Sequence, residues 1–197
     1  MVNINRHTIT VGVLGTGNGV GTTHLSIMIT IFLSMVLGNR VAFVEMNSKG
    51  CIRQAEIIRS NIDKHNNKIF NKKVSILTQS DISDISEIVS SDYDYVIIDY
   101  GEEYDVYKQL FLLNNIKLIV GNLSWWKLQT YVSFMANTEC DSTRKNWKYL
   151  GNNISDKTVK YMRKAFGISI KEIPYEPDPF YLSGDTIGFL SELTSLW

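Results

Sequence analysis

The sequence predicts an α/β fold, a doubly wound and mostly parallel sheet of about seven strands with helices on both faces. Short β-branched or aromatic runs alternate with helical patterns along the chain, which is typical of parallel strands joined by helices. Most strand runs are continuously apolar, as expected where both faces of a sheet are covered. A cluster of glycines separates the first strand from the first helix. No repeat or Pro/Ser-rich linker divides the chain, so residues 1–197 are expected to form one domain.

The individual elements follow from these patterns. The strands are expected at residues 8–14, 41–46, 74–77, 95–99, 118–121, 147–150 and 168–173. The helices are expected at residues 22–37, 52–59, 82–90, 104–113, 126–137, 156–166 and from about 186 onward. The helix at 156–166 has the clearest ends, because Ser155 or Asp156 can cap its start and Gly167 suits a left-handed residue at its end.

The composition argues against several classes of function. The chain has 20 basic and 20 acidic residues, so no net charge steers it toward nucleic acid or an anionic membrane. The lysines of the helix at 156–166 are typical of a solvated helix face, and DNA is not expected as a partner. Cys51 and Cys140 lie outside any disulfide or zinc spacing, so two reduced thiols are expected.

Three segments of the sequence indicate where in the cell the protein is expected to be. The amino terminus lacks the apolar core of a signal peptide, which predicts a cytoplasmic protein. The apolar run at 25–37 is shorter than the roughly 20 residues needed to span hydrocarbon, so a buried helix is expected. The last segment lacks the basic face of a membrane-surface helix, so we expect it to pack in the core and the protein to reach a membrane only through a partner.

A loop rich in glycine, the glycine loop, has the sequence GTGNGVGTTH at residues 15–24 and connects the first strand to the first helix. Glycines allow backbone N–H groups to converge on an anion, and a helix N-terminus adds further N–H donors and the positive end of a dipole. The order of strand, glycine loop and helix is therefore the setting of a phosphate site. A tight connection without a ligand is the alternative.

The segment VGVLGTGNGVGTTHLSIMI resembles the first strand, loop and helix of the ParA/MinD family of P-loop ATPases, whose deviant Walker A loop reads KGGVGKTT. The resemblance implies a P-loop NTPase fold, a Rossmann-like three-layer sandwich, with ATP and Mg²⁺ as ligands. It aligns Gly17 with the family's signature lysine and Thr22 with the P-loop lysine, so both cations are absent, and it gives Thr23 the magnesium-binding hydroxyl. The implied nucleotide-binding residues of the loop are Gly17, Asn18, Gly19, Val20, Gly21, Thr22 and Thr23.

The loss of both lysines affects binding and hydrolysis differently. One charge-assisted hydrogen bond contributes about 1.5–3 kcal/mol, so its loss weakens nucleotide binding roughly ten- to hundredfold. A cation that stabilises the transferring phosphate is worth roughly 10³–10⁵ in rate, by analogy with an arginine finger. The loop is compatible with weak ATP binding, whereas hydrolysis is not expected. His24 is a poor substitute, because the positive end of the helix dipole disfavours its protonation.

Two acidic strand ends are the other candidate catalytic residues. The strand VAFVE ends at Glu45, followed by Asn47, where the family has an aspartate motif, and both substitutions weaken the match. The run YDYVIIDYG resembles the family's Walker B strand and places Asp99 where an acid holds a magnesium-bound water. Thr23 and Asp99 are therefore the candidate metal ligands. The alternative for Glu45 is a helix-capping or solvent-facing role, and the alternative for Asp99 is a helix cap.

Further candidate residues follow the later strands. The resemblance places Asn152 near the adenine ring and Pro174 in the segment that closes around that ring. Trp125 and Trp126 are adjacent, so on a helix they point about 100° apart and cannot both face the core. One of them is a candidate contact residue, although ordinary amphipathic coverage is the favoured interpretation.

Within the family, the chain length, the missing lysines and the tail IPYEPDPF are most similar to atypical members of the TadZ/CpaE type, which are associated with localising pilus or secretion assemblies. The resemblance implies a pseudo-ATPase that binds ATP weakly or not at all and acts as a localisation or assembly scaffold through a protein partner or a homodimer. The alternative is an active ATPase of the ParA/MinD type, in which another cation such as Lys49 replaces the missing lysine.

Overall fold

The structure is a computed structural model, and it describes residues 7–47, 50, 74–78, 85, 88, 92–195 and 197. All seven predicted strands are present, with ends shifted by at most two residues. They are β1 (Ile9–Gly15), β2 (Val41–Glu45), β3 (Val74–Thr78), β4 (Tyr95–Asp99), β5 (Ile116–Asn122), β6 (Lys148–Asn152) and β7 (Ile170–Glu172). They form one sheet in the order β3-β2-β4-β1-β5-β6-β7, in which every neighbouring pair is parallel. The predicted fold class is confirmed, and this sheet is entirely parallel.

The helices of the described residues lie between these strands. They are α1 (Thr22–Ile31), α2 (Tyr104–Leu113), α3 (Leu128–Asn137), α4 (Asp156–Phe166) and α5 (Gly184–Thr194). Helices α2 and α4 have the predicted bounds, and α3 begins two residues later than expected, at Leu128. Ile85 and Ile88, the described residues of the predicted helix 82–90, are helical. The predicted helix 52–59 and Cys51 lie outside the described residues.

The first helix departs from a regular α-helix before its predicted end. A π-helical turn, Phe32–Val36, follows α1, and the N–H of Leu37 donates to the carbonyl of Phe32 at 3.1 Å. Upstream, the hydroxyl groups of Ser26, Thr30 and Ser34 each donate to the carbonyl one turn earlier, at 2.9, 2.8 and 2.7 Å. Such hydroxyl groups compete with backbone N–H groups for the carbonyls of the helix and tend to bend the helix. They also satisfy these side chains inside the core, where an unpaired hydroxyl is costly.

The ends of α4 confirm the capping prediction. The Ser155 hydroxyl accepts a hydrogen bond from the Thr158 N–H at 3.2 Å, while the Thr158 hydroxyl accepts one from the Ser155 N–H at 3.1 Å. Gly167 ends the helix with a φ of 69°, in the left-handed region that favours glycine. Both signals were readable from the sequence because helix caps depend on residues within one turn.

Alternate residues of the strands face two separate apolar layers, which explains their continuous apolar runs. Helices α1 and α5 cover one face, around Val13, Phe43 and Val120. Helices α2, α3 and α4 cover the other face, around an aromatic cluster of Tyr104, Phe111, Phe134 and Trp147. The last helix packs in the core through Phe189, Leu190 and Leu193, as the sequence predicted. In the described part of the chain, no helix has the length and apolarity that crossing a bilayer requires.

Candidate functional site

The glycine loop lies at the carboxyl edge of the sheet, where β1 ends between β4 and β5. The Gly15 N–H donates to the Gly101 carbonyl at 2.6 Å, and the Thr16 N–H donates to the Val120 carbonyl at 2.8 Å. These bonds attach the start of the loop to the ends of both neighbouring strands. The carboxyl ends of parallel strands are where ligands bind in open α/β sheets.

The loop has the backbone shape of an anion site. Gly19 and Gly21 have φ values of 68° and 90°, which side chains disfavour. Gly21 caps α1, and no side chain caps the first turn of that helix. The helix therefore directs backbone N–H groups and its positive dipole end into a cavity of about 210 Å³. This cavity is lined by residues 17–24 of the loop together with Asn47, Gly101 and Glu102.

Asp99 is the centre of a hydrogen-bond network behind the loop. The Thr23 hydroxyl donates to its Oδ2 at 2.5 Å, and Nδ2 of Asn47 donates to the same oxygen at 3.1 Å. The Gly101 N–H donates to Oδ1 at 3.0 Å. Asp99 is completely buried, and Asn47 is 2% exposed. The carboxylate therefore joins α1, the end of β2 and the end of β4.

The predicted acidic pair is brought together by the sheet. Glu45 and Asp99 are register partners on β2 and β4, and Glu45 is 1% exposed. Neither carboxylate faces solvent, which removes the solvent-facing interpretation of Glu45. Asn47 approaches Gly101 so closely that a Cβ on that glycine would lie 2.8 Å from the Cβ of Asn47. The glycine at position 101, which also has a φ of 59°, is thus required by packing as well as by backbone conformation.

The cavity lacks a fixed cation among its described lining residues, which include no lysine or arginine. Thr22 is 7% exposed, and a Cβ on Gly17 would lie 3.3 Å from the Cβ of Thr130 on α3. Burial lowers the pKa of His24, although the nearby Glu176 and Asp178 oppose that shift. Backbone N–H groups, hydroxyl groups and side-chain N–H groups such as those of Asn18 and His24 are therefore the donors among the described lining residues.

The two residues expected at the adenine ring have different positions. Asn152 ends β6, and its Nδ2 donates to the Val20 carbonyl at 2.8 Å, so it contacts the back of the glycine loop. Pro174 is half-buried after β7 and does not line the cavity of the glycine loop. Glu176 follows it and turns inward, where its carboxylate accepts from the Ser183 N–H at 2.7 Å and from the Thr186 hydroxyl at 2.9 Å.

Sequence reasoning missed Glu102 and Glu176 as residues of this region. Glu102 lines the cavity directly after the Walker B-like strand, and an acid so placed could have been noticed from the run YGEEY. The inward turn of Glu176 has no local signal, since its partners lie seven and ten residues further along the chain. For the tryptophans the favoured interpretation was wrong, because Trp125 is 69% exposed and Trp126 is 90% exposed.

The contacts between Thr23 and Asp99 show how well these two residues would suit a divalent cation. Thr23 and Asp99 offer hard oxygen atoms, which Mg²⁺ prefers, at the end of the glycine loop. Their direct hydrogen bond occupies the position between them, so an ion bridged by these two residues would have to break it. Within the described ranges, no group of three or more His, Cys, Asp or Glu side chains is arranged to hold a metal ion.

No protein-family model matches this sequence, and neither does any curated protein. Solved structures do match the fold. A ParA family ATPase from Chlorobium tepidum is 18% identical with a TM-score of 0.65, over 95% of this chain and 93% of its own. The MinC:MinD cell division complex of Aquifex aeolicus matches with 19% identity and a TM-score of 0.67, over 95% of this chain and 96% of that one.

A third similar structure is a putative plasmid partition protein from Borrelia burgdorferi bound to AMPPNP. It is 14% identical with a TM-score of 0.65, over 96% of this chain and 97% of its own. ParA and MinD ATPases are therefore among the structural neighbours of this chain. At these identities the likeness establishes the fold, an α/β P-loop NTPase fold, and nothing finer.

Proposed function

We propose that residues 1–197 form a single cytoplasmic domain of the ParA/MinD-like P-loop type with a degenerate Walker A loop. In this proposal the protein is a pseudo-ATPase that binds ATP weakly or not at all. It acts as a localisation or assembly scaffold, of the kind that serves pilus or secretion systems, through a protein partner or a homodimer. The chain length, the missing lysines and the tail IPYEPDPF are the features that favour a TadZ/CpaE-like type.

The observation that supports the proposal is a phosphate-type glycine loop whose described cavity lining includes no lysine or arginine. By the resemblance, Gly17 and Thr22 occupy the family's two lysine positions, and behind the loop Asp99 accepts hydrogen bonds from Thr23, Asn47 and Gly101. In this proposal the loop keeps the backbone of a phosphate site, but no cation among its described lining residues offsets the charge of a phosphate. If nucleotide does bind, the glycine loop would hold its phosphates and Thr23 with Asp99 would hold Mg²⁺.

Calorimetric titration with ATP and Mg²⁺, together with an ATP turnover assay, tests the loss of activity. We expect no turnover above background and a dissociation constant no tighter than the 100 μM range. Turnover that persists through purification and disappears in an Asp99→Ala variant that circular dichroism shows to be folded would overturn the pseudo-ATPase. It would favour an active ATPase with a substitute cation, for which Lys49, outside the described residues, is the first residue to change.

Restoring one positive charge to the glycine loop tests whether the missing lysine is what weakens ATP binding. Thr22→Lys is expected to tighten ATP binding ten- to hundredfold, because it returns one charge-assisted hydrogen bond. Thr22→Met is the matched control, since it adds a chain of similar length without charge. Equal affinity in the two variants, with melting temperatures that show both to be folded, would mean that the missing lysine is not what limits binding.

The scaffold role is tested in cells with a fluorescently tagged chain. Asn18 is exposed at the mouth of the loop, so Asn18→Glu repels phosphate without disturbing packing, and Asn18→Gln is its neutral control. A scaffold that does not need nucleotide should localise identically in both variants. Loss of localisation in Asn18→Glu alone would show that localisation requires nucleotide binding and would exclude the form of the proposal in which the chain binds no ATP.

A further inference from the structure

A second cavity, the amino-edge cavity, lies at the edge of the sheet opposite the glycine loop. It has a volume of about 670 Å³, and it is lined by the starts of β6 and β7, the segment after α3 and the last turns of α4 and α5. It shares no lining residue with the cavity of the glycine loop. Sites that hold a small molecule typically have volumes of about 300–1,000 Å³. The amino-edge cavity is therefore large enough for a ligand of its own.

The register of the last two strands explains where this cavity forms. Tyr149 of β6 is the first residue that pairs with β7, and its partner is Ile170. Residues 147–148 and 167–169 therefore precede the paired part of the two strands, and both segments line the cavity. The cavity thus lies where β6 and β7 have not yet joined.

The lining is aromatic, and it contains a buried donor. Trp147 is 4% exposed, and its ring packs edge to face against Tyr104 and Phe111. Its Nε1–H is buried and has no acceptor among the described residues. Such a donor is costly to leave unpaired, and buried indole N–H groups usually have a partner. Tyr149 and Phe166 add two further rings to the lining, so an aromatic ligand with an acceptor atom suits this cavity.

The four cations of the lining fall into two pairs. Arg144 donates to a carbonyl of α3 at 2.8 Å, which offsets the negative end of that helix. Lys171 lies 2.7 Å from the carboxylate of Glu192. Lys145 and Lys148 also line the cavity, and neither side chain has a hydrogen bond or ion pair with a described residue.

The acids of the lining do not balance these two lysines. Asp141 is held by Lys108, which lies 2.8 Å away and is not a lining residue, and it accepts a hydrogen bond from the Tyr104 hydroxyl. Glu192 is held by a lining cation, as described above. Glu139 is then the one acid of the described lining that can oppose the two lysines. One positive charge is left over, beside an aromatic surface.

We propose that the amino-edge cavity binds a small aromatic carboxylic acid. The carboxylate pairs with Lys148, the ring packs on the apolar lining, and an oxygen atom of the acid accepts the hydrogen bond of the Trp147 N–H. This inference goes beyond the proposed function, because it uses the opposite edge of the sheet and none of the residues at the glycine loop.

Nuclear magnetic resonance of the ¹⁵N-labelled full chain tests the site with 1-naphthoate as the probe. The indole N–H signal of Trp147, identified by its loss in Trp147→Phe, should shift with a dissociation constant of about 0.1–1 mM, as expected for a ligand of this size. The indole signals of Trp125 and Trp126, at the other edge of the sheet, should not move. The neutral analogue 1-naphthamide should bind at least tenfold more weakly, because it cannot pair with a lysine.

A pair of lysine variants tests the charge. Lys148→Gln should weaken naphthoate binding about tenfold, because it removes the charge-assisted contact. Lys157→Gln is the matched control, since Lys157 is an exposed lysine in the first turn of α4, at the carboxyl edge, and does not line the cavity. Neither lysine is buried, so both variants should melt at the temperature of the wild type.

Several results would overturn the inference. Among them are no saturable shift of the Trp147 signal up to about 5 mM naphthoate, equal binding of the acid and the amide, and unchanged affinity in Lys148→Gln. ATP with Mg²⁺ should leave naphthoate binding unchanged, because the two cavities share no lining residue. Displacement by ATP would place the acid at the glycine loop and would contradict the proposal. None of these results depends on the ATP titration that tests the proposed function.

Discussion

The carboxyl edge of the sheet has two halves, the ends of β2, β4 and β1 and the ends of β5, β6 and β7. In the first half the polar side chains turn inward, and Glu45, Asn47 and Asp99 are at most 2% exposed. In the second half large aromatic side chains turn outward, among them Trp126 at 90% and Tyr175 at 89% exposed. Apart from Glu176, which also turns inward, the first half thus buries polar side chains and the second half exposes aromatic ones.

This difference suggests that the two halves have different roles: the first half holds the glycine loop in place, and the second half forms a surface that can contact a partner. The first half stabilises the glycine loop through hydrogen bonds that Asp99 accepts. The described residues that line the loop's cavity include no lysine or arginine. The second half presents apolar area to solvent, which is costly unless a partner covers it. The first half is therefore expected to determine stability, and the second half is expected to determine association.

The largest predicted effect is that of Asp99→Ala in the first half. The change leaves the Thr23 hydroxyl, the Asn47 amide and the Gly101 N–H without their acceptor in a buried site, so we expect a loss of about 3–5 kcal/mol of stability. Urea unfolding followed by circular dichroism measures it. Glu172→Ala, at an exposed acid on β7, is the control and should stay within about 0.5 kcal/mol of the wild type. A loss below about 1 kcal/mol for Asp99→Ala would remove its proposed structural role.

A smaller effect is expected for Asn152→Ala, which cuts the link between the two halves. Its Nδ2 donates to the Val20 carbonyl at 2.8 Å, and Val20 is 2% exposed. Leaving that acceptor unpaired should cost about 1–2 kcal/mol in urea unfolding. Asn137→Ala, at an exposed position of α3, should be close to neutral. Equal effects of the two asparagines would mean that Asn152 does not hold the loop.

Sequence patterns were sufficient where structure depends on near neighbours. The continuous apolar runs located all seven strands, and the caps at Ser155 and Gly167 located α4, because both signals act within a few residues. The glycine loop was likewise placed at the end of β1. Its hydrogen bonds were not predicted, since Thr23, Asn47 and Asp99 come from three elements that only the folded sheet brings together.

Two local features differ from their predictions for physical reasons. The predicted helix 22–37 is present as far as Val36, but Ser26, Thr30 and Ser34 bond to carbonyls one turn back and its last five residues form a π-helical turn. Their spacing of four residues was the available signal. Trp126 was placed in a helix, whereas the side chain of Asn122 holds a turn that delays the start of α3 to Leu128. Nothing local indicates that both tryptophans face solvent.

The smallest predicted effect concerns Glu176, the inward-turned acid of the second half. Its carboxylate accepts hydrogen bonds from the Ser183 N–H and the Thr186 hydroxyl at the start of α5. Glu176→Gln keeps one oxygen acceptor but removes the charge, so we expect a loss of about 1 kcal/mol at pH 7 in urea unfolding. Glu172→Gln is the exposed control, and its stability should match that of the wild type at every pH.

The pH dependence of the difference in unfolding free energy between wild type and Glu176→Gln shows whether the charge of Glu176 causes it. Hydrogen bonds from Ser183, followed by Thr186 and the charge of nearby His24, lower the pKa of Glu176 despite its burial. Because the folded pKa lies below the unfolded value of about 4.3, the ionised carboxylate stabilises the fold fully above that value. Its contribution disappears as the pH falls through the folded pKa. The difference between wild type and Glu176→Gln should therefore be constant from pH 6 to 8 and shrink below about pH 4. A difference that persists unchanged at pH 3 would assign the effect to packing rather than to the ionised cap of α5.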